Sequence, residues 1–173
     1  MFHEIMYYAN EHCQENVNTI YMPTRKNNKS KNKTFRKKRV NKANKINNEV
    51  KSMLVKTFFE ILTSIKLYHW KTKSYSQHEA TDDLHEKLSD QVDRFVEVLI
   101  GKSSKRIHMV EEKMRLYDFN TKTKFKDKIF EFRQFLIDLD DIFYQKKDSD
   151  LLTIRDDMLE SVNQFLYLFT LSH

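Results

Sequence analysis

Residues 77–100, QHEATDDLHEKLSDQVDRFVEVLI, followed by Gly101, decide how this chain is read. The stretch has no Gly or Pro. Its apolar residues Leu84, Leu88, Val92, Phe95 and Leu99 recur every three or four positions, as on one face of a helix. Gly101 predicts its stop. On the same helix, His78 and Asp82 are one turn apart, and so are Asp93 and Glu97. At 100° per residue this second stripe lies roughly 120° round from the apolar one, so it flanks the core. The four positions are symmetric about the point between Lys87 and Leu88. Two copies crossing antiparallel there would bring His78 to the partner's Glu97, and Asp82 to the partner's Asp93. On one straight helix, His78 and Glu97 would be roughly 28 Å apart, at about 1.5 Å per residue. No single metal centre spans that distance. The four are therefore either unrelated surface groups or two equivalent sites shared between subunits.

The rest of the chain follows the same helical logic. One Gly and one Pro in 173 residues leave few turns, which argues for an all-α protein of long helices. A first helix is predicted over 48–71, with the stripe Val50, Leu54, Phe58, Ile61, Ile65 and then His69. After the second helix comes a long connection, 103–121, with a short helix expected near 109–116. The third helix is predicted over 122–145, carrying Phe125, Ile129, Phe132, Leu136, Leu139 and Phe143 inward. A tight link at 146–149 leads to a fourth over 150–171, carrying Leu151, Ile154, Met158, Val162, Phe165 and Phe169. Short, long and short links give the ferritin-like variant of the four-helix bundle, with its long crossover between the second and third helices.

The charge is split. Arg25, Lys26, Lys29, Lys31, Lys33, Arg36, Lys37, Lys38, Arg39, Lys42 and Lys45 lie in a run without acids, although the whole chain nets only +6. The remainder holds 20 basic against 25 acidic residues, a net of −5. Residues 1–47 are expected to be a flexible arm, since a Lys/Asn-rich segment cannot bury enough apolar surface to offset its chain entropy. No period is legible in residues 1–22. The arm fits sequence-independent binding of DNA through phosphate neutralisation. A nuclear-targeting run at Arg36–Arg39 and simple solvation are its other readings. Within its Lys/Asn-rich part, 23–47, Phe35 and Ile46 are the only large apolar groups, which argues against base stacking. The single Cys13 suits a reducing compartment. Neither a signal peptide nor a membrane span is expected.

The run YHWKTKSYSQHEATDDLHEKLSDQVDRFVE resembles the signature of Dps, the DNA-binding mini-ferritins. That signature is a His-Trp pair late in the first helix, a His followed four residues later by Asp, and another Asp eleven on with Glu four beyond. Those positions are His69-Trp70, His78, Asp82, Asp93 and Glu97 here. The resemblance implies a ferroxidase centre across a two-fold dimer, His69, His78 and Asp82 from one chain and Asp93 and Glu97 from the other. It also implies a homo-dimer that builds a dodecameric shell, in the cytoplasm or on the nucleoid. The segment between His69 and His78 is about three residues shorter than usual in Dps and lacks its Gly. That linker, the basic arm and the ending IRDDMLESVNQFLYLFTL are also similar to Dps-like proteins carried by large DNA viruses, which implies a virion or host-cell location.

Imidazole and carboxylate ligands suit iron as Fe(II) or zinc, and acidic oxygens favour Fe(III). His85, close to the two-fold point, reads as an interface residue, and Trp70 as packing. His3, His12 and His108 have no partner by spacing. The alternative function is a non-enzymatic DNA-packaging protein that keeps the bundle without iron chemistry.

Overall fold

The computed structural model describes residues 46–111 and 113–171. The expected flexibility of the arm and its basic residues through Lys45 lie outside the described residues. Within them are four long helices and no strand: α1 Asn48–Lys71, α2 Tyr75–Ser103, α3 Lys122–Asp138 and α4 Gln145–Thr170. None is long and apolar enough to cross a membrane.

Local chemistry sets the boundaries. The Asn47 side chain accepts from the Val50 amide at 2.9 Å and starts α1, and Glu49 sits at the positive end of its dipole. Thr121 caps α3 in the same way, on the Lys124 amide. α2 runs through Gly101 and ends at Ser104, which takes the left-handed conformation (φ 51°) while its amide reaches the Ile100 carbonyl. The expected glycine stop is therefore displaced by three residues. A glycine is tolerated inside a helix, and the left-handed cap that ends the helix is supplied by Ser104.

The third helix is shorter than 122–145. It ends at Asp138, tightens into a 3₁₀ turn over Leu139–Asp141, and Phe143 reaches the core from a non-helical position. Arg155 of α4 explains the stop. Its buried guanidinium donates to the Leu136 carbonyl at 3.0 Å and the Asp140 carboxylate at 2.8 Å, adding a charged donor where the Leu139 amide already closes the last turn. The expected link at 146–149 is instead the first turn of α4, kinked at Asp148 (φ −125°, ψ 25°). The Asp148 carboxylate accepts from the Tyr144 amide, and Lys102 at the end of α2 reaches Asp148 at 3.2 Å and Asp150 at 2.7 Å.

Every apolar stripe residue predicted for the second, third and fourth helices is buried. On α1, Leu54, Phe58, Ile61 and Ile65 are buried as well, and Val50 is half-buried. α2 packs on α1 and α4, α3 packs on α4, and α3 meets α1 through rings. Phe58 lies edge-on to Phe95, Phe132 and Phe135 at 5.5, 6.4 and 6.0 Å. Nearer the other end, Tyr68 stacks on Phe125 at 3.9 Å, and Phe125 meets Phe165 and Phe169 edge-on. Such pairs add about 0.5–1.5 kcal/mol each beyond their burial.

Residues 104–121 do not contain the expected short helix: the described residues of 109–116 are non-helical. They form a strap running parallel to α1. His108 lies at Asn48, Val110 at Ser52, Glu111 at Lys56, Arg115 at Glu60, and Asp118 and Asn120 at Lys71. Two constraints exclude a helix. From residue 48 to residue 71, α1 advances roughly 35 Å, and twelve residues cover that only when nearly extended. The amides a helix would use internally are also taken: His108 by Asn48 Oδ1, Val110 by Ser52 Oγ and Arg115 by Glu60 Oε1.

Candidate metal centre at the α1–α2 turn

The end of α1 and the start of α2 are joined by only three residues, 72–74, which puts His69 beside His78. A buried polar knot holds the turn. The Tyr68 hydroxyl donates to Gln77 Oε1 at 2.7 Å, the Thr72 hydroxyl reaches the same oxygen at 3.1 Å, and Thr81 donates to the Gln77 carbonyl at 2.7 Å. Burial pushes the Tyr68 phenol up, and the Thr72 bond works against it.

The two imidazoles stack with centroids 3.8 Å apart. Each grips the other's backbone: His69 Nδ1 lies 3.1 Å from the His78 carbonyl, and His78 Nδ1 lies 3.2 Å from the His69 carbonyl. A carbonyl oxygen only accepts, so both Nδ1 atoms carry hydrogen. In the neutral rings both Nε2 atoms keep their lone pairs. That arrangement orients a histidine as a metal ligand.

Asp82 is one turn along α2. Its Oδ1 is 3.7 Å from His69 Nε2 and 3.0 Å from Lys66 Nζ. Two acceptor atoms facing each other at that distance repel unless a cation or a proton lies between them. A proton on Nε2 satisfies that pair as an imidazolium–carboxylate contact, and two imidazole nitrogens with a carboxylate are also a donor set that fits a metal cation, with the Lys66 ammonium supplying local positive charge. The hydrogen bond from Lys66 holds the Asp82 carboxyl below the usual aspartate range, aided by the charges of Lys66, His69 and His78. His85, half-buried nearby, is pushed down mainly by burial and then by Lys66, against the pull of Asp82.

Asp93 and Glu97 are exposed further along α2. Within one chain they do not join the other three, and among the described residues no three His, Cys, Asp or Glu side chains gather closely enough to hold a metal. Trp70, expected to pack, is 68% exposed in the single chain. Lys66 is the site residue that sequence reasoning missed. Its signal was its place three before His69, one turn back on the same face of α1.

Residues 69–169, more than half of the chain, match the model of a family described as one of unknown function, DUF5856. The chain belongs to that family. The matched region starts at His69 and takes in His78, Asp82, Asp93 and Glu97, but not the basic arm. No curated protein and no solved structure matches the chain.

Proposed function

We propose that the protein is a Dps-like mini-ferritin that oxidises Fe(II) at sites shared by two subunits and holds DNA through its basic arm. The observation that carries this reading is the reciprocal His69–His78 pair, which leaves two imidazole lone pairs beside the Asp82 carboxylate. The strap fits the reading too: it returns the chain along α1 so that α3 runs in the same direction as α2, as a ferritin-like crossover does.

The missing ligands would come from a second copy, with Asp93 and Glu97 of its α2 completing the centre. The face for that copy is the one carrying Lys66. Phe59 and Trp70 share it by helical spacing and are 50% and 68% exposed in the single chain. At the completed centre, His69, His78, Asp82, Asp93 and Glu97 would bind and orient iron as substrate. Two Fe(II) ions would give up one electron each, reducing one peroxide to two waters with uptake of two protons.

One observation favours the second reading, a non-enzymatic DNA-packaging protein with this bundle. The Lys66 ammonium already neutralises Asp82, and a divalent cation must displace or tolerate it. Anaerobic Fe(II) loading followed by a peroxide pulse separates the two. A protein-dependent rise of Fe(III) absorbance, with two irons consumed per peroxide, is expected for the mini-ferritin. Oxidation no faster than in buffer sinks it and leaves the packaging role.

A further inference from the structure

The outer face of α2 is acidic along its length. At 100° per residue, Glu79, Asp82, Glu86, Asp93 and Glu97 fall within about 60° of one another, and all five are exposed. Asp90 lies about 20° beyond them and is exposed too. Asp82 is met by Lys66 Nζ at 3.0 Å. Glu79, Glu86, Asp93 and Glu97 form no ion pair among the described residues. The cations in the middle of α2 are turned toward α4. Lys87 pairs with Asp83 at 2.8 Å and reaches Gln164 at 3.2 Å, and Arg94 reaches Asp157 at 3.7 Å. His78 and His85, half-buried, lie on the flank nearer α1.

This face opposes its own copy. About the point between Lys87 and Leu88, antiparallel pairing sets Asp82 against the partner's Asp93, acid on acid. With the histidines neutral, five carboxylates against the one ammonium of Lys66 leave −4 on each copy and −8 across the pair. Phe59 and Trp70 offer exposed apolar surface nearby, but that gain must also offset the lost freedom of two joined chains. Two divalent cations in each of two centres carry +8 and cancel the excess. A single chain supplies only His69, His78 and Asp82 to each centre, so a cation bound there has reason to draw in the second copy's carboxylates.

We infer that pairing of two copies is coupled to divalent cations: association through the α2 face is weak without them and tight with them. The inference rests on the shared-centre reading above and adds the regulation of that centre. A cation held by both chains strengthens their association, and association strengthens cation binding by the same factor.

The test is sedimentation equilibrium of the full chain over a range of protein concentrations, in EDTA and in excess Zn(II). Zinc is redox-inert and takes the same imidazole and carboxylate donors. It is expected to lower the dimer Kd about 100-fold, within the usual range for coupled binding events. Mg(II) at the same concentration, which favours oxygen ligands, should lower it less than about threefold. Glu86→Gln removes one charge per copy and none of the proposed ligands. It should tighten the dimer in EDTA about threefold to tenfold, the scale of exposed charge pairs counted at both ends of the contact. Asp127→Asn removes the same charge from the exposed side of α3 and should leave the Kd unchanged. A dimer equally tight in EDTA and in zinc overturns the inference and leaves the shared centre standing. Magnesium as effective as zinc also overturns it, since screening then explains the effect. So does a Glu86→Gln chain no tighter than Asp127→Asn. A chain that stays monomeric in zinc at every concentration removes both the inference and the reading beneath it.

Discussion

His69 and His78 hold each other by the backbone: each ring's Nδ1 meets the other residue's carbonyl, at 3.1 and 3.2 Å, while the rings stack at 3.8 Å. Neither ring can turn without breaking a bond to the other, so the orientation of both Nε2 atoms is set before any ligand arrives. His78→Ala or Asp82→Ala is expected to remove peroxide-driven Fe(III) growth, with the far-ultraviolet spectrum unchanged. His78 is half-buried and Asp82 exposed, so neither loss empties the core. Retention of more than about a tenth of the parent rate in either variant argues that the pair is structural only.

The sharing of sites between chains has its own test. Asp82→Ala and Glu97→Ala subunits are expected to be inactive apart. When mixed, they should regain part of the activity, because some centres then draw every ligand from intact positions. If mixed dimers stay as inactive as their parents, after subunit exchange has been shown by mass, the antiparallel α2 pairing is wrong. In the same dimer, Asp82 and the partner's Asp93 should lie within about 10 Å of each other, since shared metal ligands sit a few ångströms apart.

Lys66 governs the acid titration of Asp82. Its hydrogen bond keeps the carboxyl ionised to lower pH than an ordinary aspartate near 3.9. The sign follows from the lowered folded value. The stabilisation is present above the unfolded pKa and is lost as pH falls through the folded one. Lys66→Met is expected to raise the Asp82 midpoint toward the ordinary value in a carboxylate-resolved NMR titration. An unmoved midpoint would show that the ammonium is not its cause.

Arg155 closes the end of α3. Arg155→Met keeps the stem but removes the charged donor to the Leu136 carbonyl, which keeps only the Leu139 amide, and leaves Asp140 without its partner. A loss of about 1.5–3 kcal/mol in denaturant unfolding is expected, the range for a hydrogen bond to a charged group. Phe58→Ala, at the meeting of four rings, should cost more, about 3–5 kcal/mol. Equal stabilities for Arg155→Met and the parent would mean that solvent serves the helix end as well.

Deleting residues 1–46 is expected to leave the helical body folded, with a thermal melt close to that of the full chain, because the buried apolar residues of the bundle run from Leu54 to Phe169. DNA affinity should drop sharply, since the eleven cations of the basic run go with it. Undiminished DNA binding by the shortened chain at ~150 mM salt would assign the interface to the body alone.

The sequence by itself determined the helical character and the inward faces. Almost every stripe residue it named is buried, because burial at a 3.6-residue period needs no knowledge of the neighbours. It also placed α1 at its observed bounds, where Asn47 caps through its own side chain. What lay beyond it depends on contacts distant in the chain. The third helix ends where it does because Arg155, nineteen residues later than Leu136, binds that residue's carbonyl and the Asp140 carboxylate just beyond the helix. The strap is extended because Asn48, Ser52 and Glu60 take its amides, fifty-five or more residues away. The candidate ligands could be named from their spacing, but the tautomers of His69 and His78 and the cation on Asp82 could not. Those depend on where a three-residue turn sets one helix end against the next, and that placement is a property of the packed helices rather than of any local pattern.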